Sequence, residues 1–410
     1  MKDIQLYQQI LGLTGPWQVQ ALALKREDQA IEVQIVCTES LWACPACAQR
    51  MHVHDYQERR WRHLDSCQYK TYLVARVPVV KCPEHGAQVV TVPWAEPYGR
   101  FTALLERLAI DLMQECSVKA ACEILRISWD EADGVKQRAV QRGLARKTQA
   151  VPKQVCVDEK HAGHGQNYVT VVARVEAGQA ATVDYVADGR SQASLDGYWE
   201  QWTREELAGV EAVAMDMWEP FFQSTMAAVP GAADKIAHDP FHLSQYMNEA
   251  VNAVRQAEQR ELAGQGDSSL DGTRYWWLYG WENVPAKVAG PFAELRRSKL
   301  RTGRAWSIKE LWRDMWVCTN RSEAAEFFGG WYGWAIRSRL APVKKVARMF
   351  KRHLANILTY FEHRLSNGPI EGLNNKIQGL IKKAFGYRNR ERFKTDILFH
   401  LGSLDLYPTQ

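Results

Sequence analysis

The chain has 410 residues, 46% hydrophobic and 24% charged, which is enough for two or three domains with real cores and too apolar for a disordered protein. The formal charge is only +5, but residues 296–394 hold 23 Lys/Arg against 7 Asp/Glu, a local +16 that leaves −11 elsewhere and predicts a polyanionic partner for the C-terminal part. No run of 18 apolar residues occurs and the opening MKDIQLYQQI lacks a signal peptide's apolar core, so the expectation is a cytoplasmic, non-membrane protein whose nine cysteines serve as thiols and metal ligands rather than disulfides.

Residues 1–43 alternate apolar and polar positions, most clearly over Ala30-Ile-Glu-Val-Gln-Ile-Val36, which predicts strands. Two knuckles follow, Cys44-Pro-Ala-Cys47 and Cys82-Pro-Glu-His85, separated by a strand-rich stretch from Tyr69 to Val80. Each knuckle puts two soft ligands on one tight turn, and two such turns close a tetrahedral Zn²⁺ site with no open position, so the predicted zinc is structural. The 34 residues between Cys47 and Cys82 exceed the usual ribbon spacing, and His52, His54, His63 and Cys67 stand as alternatives to His85. Cys37, Cys116, Cys122, Cys156 and Cys318 read as buried small hydrophobes. Residues 1–96 are thus an N-terminal β/zinc-binding domain.

Pro93-Trp-Ala-Glu-Pro97 reads as a linker-like breaker, after which the pattern turns helical. Phe101–Glu115, Ser117–Leu125 and Trp129–Gly143, the last capped by Ser128, fit a helix-turn-helix over residues 97–149. Its final helix would carry Lys136, Arg138 and Arg142 to DNA, against the plainer reading of a three-helix bundle.

Residues 150–247 switch to strands: Val155–Lys160, Asn167–Val175 and Ala181–Val186 form a meander. A helix over Ser194–Ala208, a strand Val210–Asp216, a helix Phe221–Ala228 and a strand Asp234–His242 then follow. Three antiparallel strands succeeded by βα units is the ribonuclease-H-like order, in which the first and fourth strands are neighbours, so Asp158 and Asp216 would meet and repel unless a divalent cation lay between them. Each acid ending its own strand is the bland alternative.

Residues 248–355 are helical, basic and rich in Trp, and they separate Asp216 from Glu371 by 155 residues, which predicts an all-α insertion. Most of its tryptophans are expected in the core. Residues 356–410 return to the α/β domain with Ser366-Asn-Gly-Pro-Ile-Glu371-Gly-Leu-Asn-Asn-Lys376, where Pro369 opens a helix. Ile370, Leu373 and Ile377 form its buried face, while Glu371, Asn374, Asn375, Gln378 and Lys382 recur on the other, a lone carboxylate in a basic, amide-rich surface.

With these motifs in order, and with Val157-Asp158-Glu159, Asp188-Gly-Arg190, Asp216-Met-Trp218, His238-Asp-Pro-Phe-His242 and Phe385-Gly-Tyr-Arg388, nearly the whole chain resembles DDE transposases of the ISL3 family of bacterial insertion sequences. The resemblance implies a multidomain α/β protein: a ribonuclease-H-like domain split by the insertion and preceded by the zinc unit and the helix-turn-helix. It implies Asp158, Asp216 and Glu371 as a catalytic triad holding Mg²⁺ or Mn²⁺, with Cys44, Cys47, Cys82 and His85 holding Zn²⁺. Asn374, Asn375, Lys376, Lys382, Lys383 and Arg388 would then contact the DNA backbone, and His238 and His242 would either orient the scissile phosphate or pack beneath the strand. The expected partners are double-stranded DNA, as inverted-repeat ends and target, and a second copy of the chain, at the bacterial nucleoid. A catalytically silent DNA-binding regulator of transposase descent is the competing class.

Overall fold

The computed structural model describes residues 3–148, 150–161, 163, 167–176 and 178–409, which fall into two compact units, residues 1–148 with 404–410 and residues 149–403. In the first, α1 (Asp3–Ile10), where only strands were expected, precedes β1 (Trp17–Lys25), β2 (Ala30–Cys37), β3 (Leu41–Ala43), β4 (Arg50–Ser66), β5 (Tyr69–Cys82) and β6 (Gly86–Val89). The sheet order is β1-β2-β5-β4-β3, with β6 also on β5. Leu73, Ala75 and Val77 alternate inward along β5 and pack with Val33, Ile35 and Trp61. Trp94 meets Trp17 and Trp61 edge-on at 5.0 and 5.4 Å. Trp94 and Ala95 of the Pro93–Pro97 segment are therefore part of the core, and the segment is not a free linker.

Three helices complete this unit: α2 (Ala103–Glu115), α3 (Val118–Leu125) and α4 (Trp129–Arg146), begun by Thr102, Ser117 and Ser128, whose hydroxyls each accept a first-turn N–H. Ser128 and Glu131 close a full capping box. Glu106 of α2, only 3% exposed, accepts from Arg138 Nε at 3.1 Å and Arg142 Nη2 at 3.2 Å, and Arg142 Nε also donates to Glu96 at 2.7 Å. Buried carboxylates need such partners, and these cations are consumed in holding α4 to α2. Residues 404–410, expected with the catalytic helices, instead join this unit: Arg142 donates to Leu406 O, and Tyr407 Oη donates to Asp111 Oδ1 at 2.6 Å.

The second unit opens with β7 (Gln154–His161), β8 (Tyr168–Val175) and β9 (Thr182–Asp188), the expected meander. Two helices, α5 (Gln192–Trp199) and α6 (Arg204–Leu207), replace the single one predicted, because Thr203 caps a new start. Next come β10 (Ala212–Met215), α7 (Glu219–Ala228), α8 (Ala232–Lys235) and β11 (Ile236–His238). β11 ends four residues sooner than predicted: Asp239 caps α9 (Pro240–Ala263), and Pro240, lacking an N–H, sits where a helix needs none. The five strands run β11-β10-β7-β8-β9, with β10 parallel to both β7 and β11. The first and fourth strands are adjacent, as expected from their order.

Helices α9, α10 (Ala286–Arg297), α11 (Arg301–Asp314), α12 (Arg321–Arg337) and α13 (Ala341–Arg352) share one core in which Trp277, Trp306, Trp312 and Trp331 are buried, whereas Trp281 and Trp334 are exposed. From there α14 (Leu354–His363) returns to pack on β11. Finally α15 (Gly368–Lys383) and α16 (Arg390–Leu401) lay Ile370, Leu373, Ile377, Phe393 and Ile397 on one sheet face, while α5 and α7 cover the other. Each fully buried aliphatic of this kind contributes roughly 1.5–3 kcal/mol.

Arg142→Ala leaves Glu106 and Glu96 short of a partner and should destabilise the first unit by about 3 kcal/mol. Urea denaturation followed by tryptophan fluorescence checks this, and an unchanged midpoint would rule out a structural role for Arg142.

Candidate functional site

Strand parity and register build the acidic site. Along β7, Val155 and Val157 face α5 and α7 while Cys156 faces α15; along β10, Val213 and Met215 take the first side, and Ala212 and Ala214 the second. Asp158 and Asp216 continue the second series. Ala214 pairs with Cys156 and Met215 with His238, so extending those rows sets Asp158, Asp216 and Asp239 abreast on strands about 4.8 Å apart. His238 has the opposite parity: it is 1% exposed and packs its ring against Phe222 and His353. It lies under the strand, away from the acids, as in the packing alternative of its two readings.

His242 stays with the acids. Its Nδ1 donates to Asp239 Oδ2 at 3.1 Å, and Asp239 Oδ1 accepts the Asn367 N–H at 3.0 Å. That bond raises the imidazole above its ordinary value, and the charges of Asp216, Asp239 and Asp158 add to it although burial opposes. Asp239 thus spans from β11 to the start of α15. Sequence reasoning missed it because Asp-Pro was read as strand interior, although an Asp before Pro is also a helix-start signal.

On α15 the contact with β7 is made by Asn374, which is buried and donates its Nδ2 to Asp158 Oδ2 at 2.8 Å. It was expected on the exposed face as a DNA contact. Glu371, Asn375, Lys376, Lys382, Lys383 and Arg388 are exposed. Glu371 lies one turn before Asn374, and Asp158, Asp216 and Glu371 are not drawn to common ligand distance. Among the described residues, only Cys44, Cys47, Cys82 and His85 bring three or more ligand atoms within 4.8 Å of one another.

Burial, then the charge of Glu159, pushes Asp158 up to about 7. Burial also raises Glu159 and Asp216. Glu159 pairs with Arg190 at 3.4 Å, whose guanidinium lies 4.1 Å from the Tyr168 ring and 4.6 Å from that of Trp218. The buried Glu159 Oε2 and Asn374 Oδ1 have no protein partner. Destabilised carboxylates beside the unfilled Asn374 oxygen make an all-oxygen set that suits a hard divalent cation.

The knuckles are assembled. β3, β4 and β5 carry the first and second pairs together, and the long β4–β5 hairpin absorbs the wide spacing. Cys47 Sγ lies 3.7 Å from Cys82 Sγ, which lies 3.4 Å from His85 Nδ1. Ligands 2.3 Å from one tetrahedral zinc would be about 3.8 Å apart, so the set fits. The Ala46 and then the Cys47 N–H lower the Cys44 thiol. Of the alternatives, His63 is buried against Thr102 Oγ1 at 2.9 Å and is pushed down to about 4 by burial, and Cys67 is exposed outside the cluster.

In the three-helix segment, Lys136 is 3% exposed, and Arg138 and Arg142 serve the Glu106 network. Lys136 is thus buried and the two guanidinium groups are engaged by Glu106 within the helices. α4 offers Trp129, Asp130, Gln137 and Gln141 to solvent instead.

Residues 155–397, more than half of the chain, match the sequence profile of the ISL3 transposase domain. The chain belongs to the ISL3 family of transposases. Residues 40–85 match the zinc finger of the IS204/IS1001/IS1096/IS1165 transposases, and residues 90–140 the family's helix-turn-helix domain. The four-ligand cluster lies within that zinc-finger match. The chain is 25% identical to the transposase for insertion sequence element IS1557 of Mycobacterium tuberculosis, over 95% of this chain and 93% of the relative. It is 24% identical to the transposase for IS1001 of Bordetella parapertussis, over 89% and 90%. No helix among the described residues is long and apolar enough to cross a membrane.

Cys44→Ser should lower bound zinc from about one ion per chain toward none and unfold the knuckles, leaving the transition of the second unit in place. Metal analysis decides it, and unchanged zinc would reject the ligand set. At Asp158 the sign follows from burial: the folded-state value of about 7 exceeds the ordinary 3.8, so the acid favours folding below 3.8 and loses that contribution as pH rises to about 7. In metal-free buffer Asp158→Asn should therefore melt higher than the natural protein, with a gap that widens from about pH 4 to 7 and is constant above. Calorimetry across pH tests this; a pH-independent gap would place the charge penalty elsewhere.

Proposed function

We propose that the second unit is a ribonuclease-H-like catalytic domain that hydrolyses the phosphodiester at the ends of an insertion sequence and joins the freed 3′-hydroxyl to target DNA. The observation that carries this reading is the pair Asp158 and Asp216, abreast on adjoining parallel strands beneath the helix that bears Glu371. Asp158, Asp216 and Glu371 would hold Mg²⁺ or Mn²⁺, which when bound activates the attacking oxygen and neutralises charge on the phosphate.

The chain's own residues prepare this site. Asn374 fixes the Asp158 carboxylate, and Asp239 ties the start of α15 to the end of β11, so Glu371 rides on a helix anchored four residues upstream. His242, raised by Asp239, keeps more of its positive charge near neutrality and offsets the carboxylates beside which a phosphate must sit. Asn375, Lys376, Lys382, Lys383 and Arg388, exposed on and after α15, would grip the backbone without reading sequence. End recognition falls to the zinc ribbon and the helix-turn-helix, and pairing of two ends calls for a second copy of the chain.

The test is cleavage of a duplex bearing the element's end, with Mg²⁺. Glu371→Gln should cut at least about 10³-fold more slowly, a loss of ~4 kcal/mol of transition-state stabilisation, and Asp216→Ala should bind the end normally yet cut nothing. Cleavage by Glu371→Gln at the natural rate would remove Glu371 from the site. Tight binding of the end with no cutting by the natural protein under Mg²⁺ or Mn²⁺ would favour the silent regulator.

A further inference from the structure

The helical part of the second unit has a charged surface that the carboxylates do not use. α13 reads Ala341-Pro-Val-Lys-Lys-Val-Ala-Arg-Met-Phe-Lys-Arg352, with five cations and no acid. Val343, Val346, Ala347 and Phe350 are buried in the helical core, while Lys345, Arg348, Lys351 and Arg352 are exposed. With Tyr332 of α12 these four line a concavity of about 620 Å³. Lys351 Nζ lies 4.8 Å from the Tyr332 ring, and that ring stacks on Phe328, which gives the hollow a fixed floor.

Three features point to the occupant. Lys345–Arg348, Lys344–Arg348 and Arg348–Arg352 are like charges at helical spacings of three or four, which disfavours the helix. Among the described residues none of the five cations forms an ion pair, so the repulsion is not relieved there. The apolar face of α13 is already committed to the core, so nothing remains to insert into a lipid surface. Position completes the argument: His353, next after Arg352, packs its ring 5.3 Å from His238, the residue before Asp239. The C-terminal end of α13 therefore reaches the end of β11, the strand that leads into Asp239, on the face of the sheet opposite the carboxylates.

We propose that the α13 face clamps the sugar–phosphate backbone of the duplex whose scissile phosphate enters the carboxylate site. Lys345, Arg348 and Arg352 span about 10 Å of helix, comparable to the axial rise of about three base pairs, so each can meet a separate phosphate of that duplex. The inference rests on the catalytic reading above for the identity of the duplex, and its test does not depend on cleavage.

The full chain, in EDTA so that nothing is cut, is titrated with a labelled end-bearing duplex of about 40 base pairs at a series of salt concentrations. The triple variant Lys345→Gln, Arg348→Gln, Arg352→Gln should lower the slope of log K against log salt by about 2.7, and Arg348→Gln alone by about 0.9. The charge-keeping set Lys345→Arg, Arg348→Lys, Arg352→Lys should retain the natural slope. An unchanged slope in the single and triple variants overturns the proposal, as does a loss confined to single-stranded RNA of equal length. Reduced slope without any cleavage by the natural protein in Mg²⁺ would uphold the clamp and fail the catalytic reading; cleavage with an unchanged slope would do the reverse.

Discussion

Carboxylates set abreast at one edge of a sheet repel one another and lose hydration, and much of the second unit is arranged to contain that charge. Asp239 is satisfied inside the protein by His242 and the Asn367 N–H, and despite burial it is held below the ordinary range. Asp158 receives the Glu159 N–H and the Asn374 amide, yet burial still raises it. Asp216 has the Trp218 N–H at 3.0 Å. One acid is therefore structural, and the other two keep an unmet demand for positive charge. Sites kept in this state reduce stability in favour of function.

The same containment explains the packing around the site. α15 must come close enough to place Asn374 on Asp158, and it does so by pressing Ile370, Leu373 and Ile377 onto the small residues Cys156, Ala173, Ala212 and Ala214 of the sheet. Larger side chains on that face would lift the helix and its polar row away from the strands. On the opposite face Tyr198 Oη donates to Asp184 at 2.8 Å, and Arg190 is stacked between Tyr168 and Trp218 while pairing Glu159. The Asp-Gly-Arg segment after β9 thus supports the second residue of Asp158-Glu159. Its role as a brace was not visible in the motif itself.

In the first unit the dominant constraint is again a buried acid, Glu106, which draws Arg138 and Arg142 inward, and Arg142 in turn holds Glu96 and the Leu406 carbonyl. A helix whose cations are used in this way presents a polar and aromatic surface rather than a basic one. The exposed side chains along α4 include Trp129, Asp130, Gln137 and Gln141. The zinc ribbon stands apart energetically, since its four ligands supply the folding free energy of the knuckles when metal binds.

Local chemistry was legible from the sequence alone. The knuckles announce themselves because two ligands on one turn need only a C-x2-C or C-x2-H step, and the strands and helix starts of the second unit followed from period-2 runs and Gly-containing connections, as the start of α4 followed from its cap Ser128. That β7 and β10 are neighbours followed from the same order, since adjacency of the first and fourth strands needs no side-chain detail. The tertiary structure alone decided which polar residue serves which acid. Asn374 faces Asp158 from 216 positions away, and Arg142 reaches Glu96 across 46, so neither side chain's role is a property of its own helix. His238 and Asp239 differ by one residue yet face opposite sides of the sheet, because a strand alternates its side chains and only the neighbouring strand and helices define which side is core.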